Sequence, residues 1–115
     1  MRLTFFGTGT SFGVPQIGCG CEVCRSDDPR DKRTRSGALV ETDAGKRILI
    51  DTPPELRLQL IANHIDHVDA ILFTHEHADH IHGIDDVRAL SVRSRSALRM
   101  YGPAEPWRTL DQRFS

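Results

Sequence analysis

The chain has 115 residues, enough for one domain with a core and too few for two. Charged residues make up 27% and the formal net charge is −1, so no global field points to nucleic acid or an anionic membrane. No stretch approaches the roughly 20 apolar residues of a membrane span, and the start lacks a signal-peptide pattern. All three cysteines fall within six residues, too close to staple a fold by disulfides, so a cytoplasmic protein without membrane contact is expected.

Leu3 to Phe6 reads as a short strand, stopped by the glycine-punctuated Gly7-Thr8-Gly9-Thr10-Ser11-Phe12-Gly13. An irregular loop follows from about 14 to 35 and holds the cysteines; a loop that long is normally functional or cross-linked. Ala38–Thr42 and Arg47–Ile50 are strands joined by a tight turn at Asp43-Ala44-Gly45. In Asp51-Thr52-Pro53-Pro54-Glu55, Thr52 is placed to cap a helix, proline suits its first turn and Glu55 suits its positive end. Leu56, Leu60 and Ile61 supply that helix's apolar face. Val68–Phe73 reads as a buried strand. Ile84, Val87, Ala89 and Leu90 suggest a second helix, Leu98–Tyr101 a further strand, and Pro103-Ala104-Glu105 the opening of a third helix. Strands alternating with helices indicate an α/β fold. The chain stops as that last helix should dock, so an interrupted domain is expected.

All six histidines lie between His64 and His82, and four of them fall within eight residues. His75 and His77 are two apart, so on an extended segment they point the same way. Asp79 and His80 follow where the chain must turn into a helix. Two imidazoles can thus converge on one cation while Asp79 and His80 face a second. Metals roughly 3.5–4 Å apart can hold both the attacking and the leaving oxygen of a displacement. His64 and His67 lie outside this pattern and read as surface or helix-end residues.

Thr74-His75-Glu76-His77-Ala78-Asp79-His80 matches the H-x-H-x-D-H signature of the metallo-β-lactamase superfamily, which the chain therefore resembles. The resemblance implies an αββα sandwich, of which residues 1–115 would form a single partial domain, its N-terminal half. It implies His75 and His77 on one metal, Asp79 and His80 on the other, with Asp79 also catalytic through the attacking water. Asp51 would stand behind the metal loop as a hydrogen-bond partner; it equally suits the flank of the following helix.

Cys19-Gly20-Cys21-Glu22-Val23-Cys24 is a C-x-C-x-x-C cluster whose thiolates can share one tetrahedral zinc with a ligand from elsewhere. Metal-free reduced cysteines and a redox pair are the alternatives, although a redox C-x-x-C normally begins a helix after a strand. Together with Gly7–Ser11, Gly13-Val14-Pro15, Arg33–Ser36 and His80–Arg88, this loop resembles the opening of PhnP-like enzymes. Those are phosphoribosyl cyclic phosphate phosphodiesterases and their relatives; the pyrroloquinoline quinone protein B branch has a similar cysteine loop. The resemblance implies that Cys19, Cys21 and Cys24 plus a distant histidine hold a structural Zn2+, and that Zn2+ or Mn2+ fills a two-metal catalytic centre.

That resemblance also calls for a further histidine on each catalytic metal and a bridging aspartate, and no histidine follows His82. Two ligands per cation bind weakly, so a truncated chain or gene fragment, inactive in isolation, is expected. Half a sandwich leaves one sheet face without a partner, which favours association, including a homodimer. The leading function is hydrolysis of a cyclic or small phosphodiester by metal-activated water, with His82 and Arg88 as substrate-side groups. A loop hydrogen bond and a helix salt bridge are their plainer roles. Competing readings are ribonuclease-type RNA processing through Arg93, Arg95 and Arg99, a patch without stacking aromatics, and a non-catalytic zinc-binding fragment.

Overall fold

The computed structural model describes residues 1–74, 78–94 and 98–102. Five strands form one sheet in the order β1 (Arg2–Gly7), β2 (Gly37–Glu41), β3 (Arg47–Ile50), β4 (Ala70–Leu72) and β5 (Arg99–Tyr101). The first three run antiparallel, and β3, β4 and β5 run parallel. Helices α1 (Leu56–Ala62), α2 (Ala78–Ile81) and α3 (Val87–Ser94) connect the parallel strands, with a 3-10 turn at Ile84–Asp86. No helix among the described residues is long and apolar enough to cross a membrane.

Side-chain alternation divides the sheet into two faces. One row runs Thr4, Leu39, Leu49, Ile71, Met100 across all five strands in register. Its three middle residues are fully buried and pack with Leu56, Leu60, Val68, Phe73, Ile81, Val87 and Leu90 in a single core. The opposite face carries the rows Leu3, Val40, Ile48, Ala70, Arg99 and Phe5, Ala38, Ile50, Leu72, Tyr101. These are nearly all apolar, yet Phe5 is 66% and Leu3 52% exposed. A sheet normally buries its apolar face against another layer, and among the described residues no such layer covers this one.

The hairpin forms at the expected turn: Thr42 N–H donates to Lys46 O at 2.9 Å, and Gly45 takes the positive φ of 84° that suits glycine. Two expectations around α1 need correction. Thr52 does not cap it, because the helix starts later, with Glu55 at its N-cap and both prolines ahead of it. Thr52 is instead fully buried. Ile61 is 61% exposed, since it lies about 140° around the helix from Leu56. Gln59 takes the inward place, its amide donating to Thr34 Oγ1 at 2.9 Å and Arg35 O at 3.0 Å. The expected second helix appears as α3, where Val87 and Leu90 face the core and Ala89 is exposed. The helix expected at Pro103-Ala104-Glu105 lies outside the described residues.

Candidate metal centres

Because β3 and β4 are parallel, the chain leaves both at the same end of the sheet, placing Asp51 beside Thr74. Asp51 is 4% exposed and holds φ at 64°, a left-handed conformation that aspartate tolerates better than most residues. Its backbone N–H donates to Leu72 O at 2.8 Å, which locks it to the end of β4. The carboxylate is a three-way acceptor. Oδ1 takes the Thr74 backbone N–H at 2.8 Å, and Oδ2 takes the Thr74 hydroxyl at 2.7 Å and lies 2.6 Å from His80 Nδ1. An imidazole held this way through Nδ1 has a set tautomer and ring direction, and a cation would meet it through Nε2.

His75, His77 and the side chain of Asp79 lie outside the described residues, as do Arg95 and the side chain of Arg93. His82 and Arg88 are exposed. Arg88 lines a groove on the helix side with Arg57, Asp85, Asp86, Ala89 and Val92. His64 is exposed just past α1, and His67 Nδ1 lies 3.2 Å from Arg47 Nη1 and 3.0 Å from Asp66 Oδ1 at the surface.

β1 and the start of β2 reach this same sheet end. Gly7 closes β1 where a Cβ would sit 2.1 Å from Arg35 O, so glycine lets the two segments touch. Arg35 is tied down by Nε to Ser11 O at 2.8 Å and by Nη1 to Glu55 Oε1 at 2.6 Å. Thr74 and Arg35 both lie inside sequence motifs that name no partner for either. A threonine directly before H-x-H is the one available sign for Thr74; the Arg35–Glu55 pair, twenty residues apart, has none.

The cysteine loop is pinned at its base, where Val14 and Arg33 exchange two backbone hydrogen bonds of 2.8 Å. Within it the sulfurs of Cys19, Cys21 and Cys24 lie within 4.8 Å of one another, and no disulfide links them. Tetrahedral zinc with Zn–S bonds of about 2.3 Å spaces its sulfurs by about 3.8 Å, within the limit that contains these three sulfurs, so the donor set suits that ion. Two backbone amides already point at sulfur: Cys24 N–H to Cys21 Sγ at 3.5 Å and Gln16 N–H to Cys24 Sγ at 3.4 Å. The Cys24 amide, then the Cys19 and Cys24 thiols, pull the Cys21 thiol below its ordinary range. At Cys19 a hydrogen bond from the Cys21 backbone pulls down as well, but the neighbouring thiols outweigh it and leave that group raised.

Residues 46–115 match the family model described as the β-lactamase superfamily domain. An octanoyltransferase of Porphyromonas gingivalis is 57% identical over 90 residues, covering 78% of this chain but 18% of that protein. A crystal structure of a new diphosphatase from the PhnP family superposes with a TM-score of 0.92 at 48% identity, covering 97% of this chain and 45% of the other. Zn(2+)-bound PqqB from Methylobacterium extorquens shares the fold, with a TM-score of 0.67 at 23% identity over 90% of this chain and 50% of PqqB. The chain thus spans half or less of each protein it is matched to here.

Proposed function

The chain belongs to the β-lactamase superfamily domain family, and on that premise we propose that it is the N-terminal part of a metal-dependent phosphodiesterase. The observation that carries this reading is the buried Asp51 carboxylate 2.6 Å from His80 Nδ1. Such a carboxylate behind a histidine is what metal-ligating imidazoles require. When bound, two divalent cations would supply a hydroxide at neutral pH and neutralise phosphoryl oxygens.

In this reading His75 and His77 would hold one cation, and Asp79 and His80 the other. Asp79 would also orient the attacking water or accept its proton. Asp51 keeps His80 in one tautomer, and Thr74 keeps Asp51 in place. His82 and Arg88 approach the substrate, a small or cyclic phosphodiester. Cys19, Cys21 and Cys24 would hold a separate zinc that orders the long loop. The PhnP-family likeness supports chemistry at phosphorus, that relative being a diphosphatase.

The test is a hybrid in which this chain replaces its matching portion of the PhnP-family diphosphatase. Loaded with Zn2+ or Mn2+, the hybrid is expected to hydrolyse cyclic and aryl phosphodiesters. Chelation and His80→Ala should each abolish that turnover, and the isolated chain should show none. A folded, metal-loaded hybrid that cleaves RNA alone, or nothing at all, would sink the proposal.

A further inference from the structure

His80 stands on α2, a helix of four residues, Ala78–Ile81. So short a helix cannot hold its own position in water. Its placement must come from what grips it, and the grip comes from Thr52 and Pro53. Thr52 backbone N–H donates to His80 O at 2.7 Å, and its hydroxyl donates to Ile81 O at 3.3 Å and reaches His80 O at 3.5 Å. Two residues further on, Gly83 N–H donates back to Thr52 O at 2.8 Å. A Cβ on Gly83 would lie 1.9 Å from Pro53 O and 3.0 Å from Thr52 O, so any side chain there forces the two backbones apart. Thr52 and Ile81 are both fully buried, which keeps water from competing for these bonds.

Thr52 directly follows Asp51. One short stretch therefore holds His80 twice, by its ring through the Asp51 carboxylate and by its backbone through Thr52. We propose that Thr52 and Gly83 are positioning residues for His80: the clamp made by the Thr52 hydroxyl and backbone together with the Gly83 amide sets the direction of its imidazole before any cation arrives. Thr52 is then no helix cap, and Gly83 is required for contact rather than for flexibility. The proposal rests on the reading of His80 as a ligand only for its purpose; the clamp itself is a property of the metal-free chain.

The test uses the full chain without metal, at a pH well above the usual histidine range, and records the ring-nitrogen NMR shifts of His80. The unmodified chain should show two well-separated ring-nitrogen resonances, the mark of a single tautomer protonated at Nδ1. Thr52→Val, which keeps the shape and loses the hydroxyl, should bring those resonances together. Gly83→Ala should do so more strongly, and Thr52→Ser should restore the separation. A folded Thr52→Val or Gly83→Ala chain with reduced thermal stability and an unchanged His80 signature makes the clamp merely structural and overturns the proposal.

Should those variants fail to fold, the unmodified chain decides by warming. The His80 signature and the hydrogen-exchange protection of the Thr52 and Gly83 amides should vanish together. A signature outlasting that protection overturns the clamp. Because no cation or substrate is present, failure here is distinct from failure of the hydrolase reading, which the hybrid's turnover reports.

Discussion

The two candidate metal centres are built in opposite ways. The cysteine centre is local: three donors within six residues, partly or fully exposed, on a loop pinned only at its base. The centre at His80 is assembled by the fold, with Asp51, Thr74 and His80 carried to one point by two parallel strands and a four-residue helix. A local site depends on metal for its order, while an assembled site depends on the core. Damage to the fold should therefore separate them.

The largest effect is expected at Asp51. Asp51→Ala removes the acceptor for the Thr74 amide, the Thr74 hydroxyl and His80 Nδ1 at a buried position. Donors left unmade in this way cost about 3 kcal/mol together; urea unfolding of the zinc-free chain measures it. The same variant should retain zinc at the cysteine loop while it stays folded. Cys21→Ser should do the reverse. Zinc at a hundredfold excess over its dissociation constant stabilises a folded chain by about 2.7 kcal/mol, and this increment should vanish in Cys21→Ser and on chelation, with zinc-free stability altered by no more than about 0.5 kcal/mol.

Two smaller effects sharpen the contrast. Thiol ligands must lose their protons to bind zinc, so zinc-dependent stabilisation should fall as pH falls. Without metal, the lowered, exposed Cys21 keeps its thiolate to lower pH than the raised Cys19, so mass mapping should find Cys21 alkylated first and zinc protecting it. The uncovered sheet face gives the last effect. Leu3→Lys with Phe5→Lys should lower ANS fluorescence and concentration-dependent association seen by light scattering, with little change in stability, since both side chains are more than half exposed.

Much of the fold was legible because each strand carries its own signal. β3 ends where its apolar run Ile48-Leu49-Ile50 does, and the Asp43–Gly45 turn falls where glycine demands it. Only the family resemblance pairs Asp51 with the loop from Thr74 to His80; its place at a strand end equally suits the flank of a helix, and the fold gives it Thr74 and His80 as contacts. A threonine before two prolines fits a helix cap locally, whereas the actual partners of Thr52, His80 and Ile81, lie 28 and 29 residues away. Ile61 looks apolar enough for the inward face, but Gln59, an amide with two fixed acceptors, occupies it. Long-range hydrogen bonds of this kind leave no periodic trace in a sequence.

Of the two candidate centres, the local cysteine cluster is the one expected to hold zinc tightly in this chain alone, because the assembled one at His80 has too few donors here. Native mass spectrometry of the zinc-loaded chain, beside Cys21→Ser and His80→Ala, tests it most directly. One tightly held zinc that disappears in Cys21→Ser and persists in His80→Ala is the predicted result. Zinc that survives Cys21→Ser but is lost in His80→Ala, or a zinc-free wild-type chain, would contradict it.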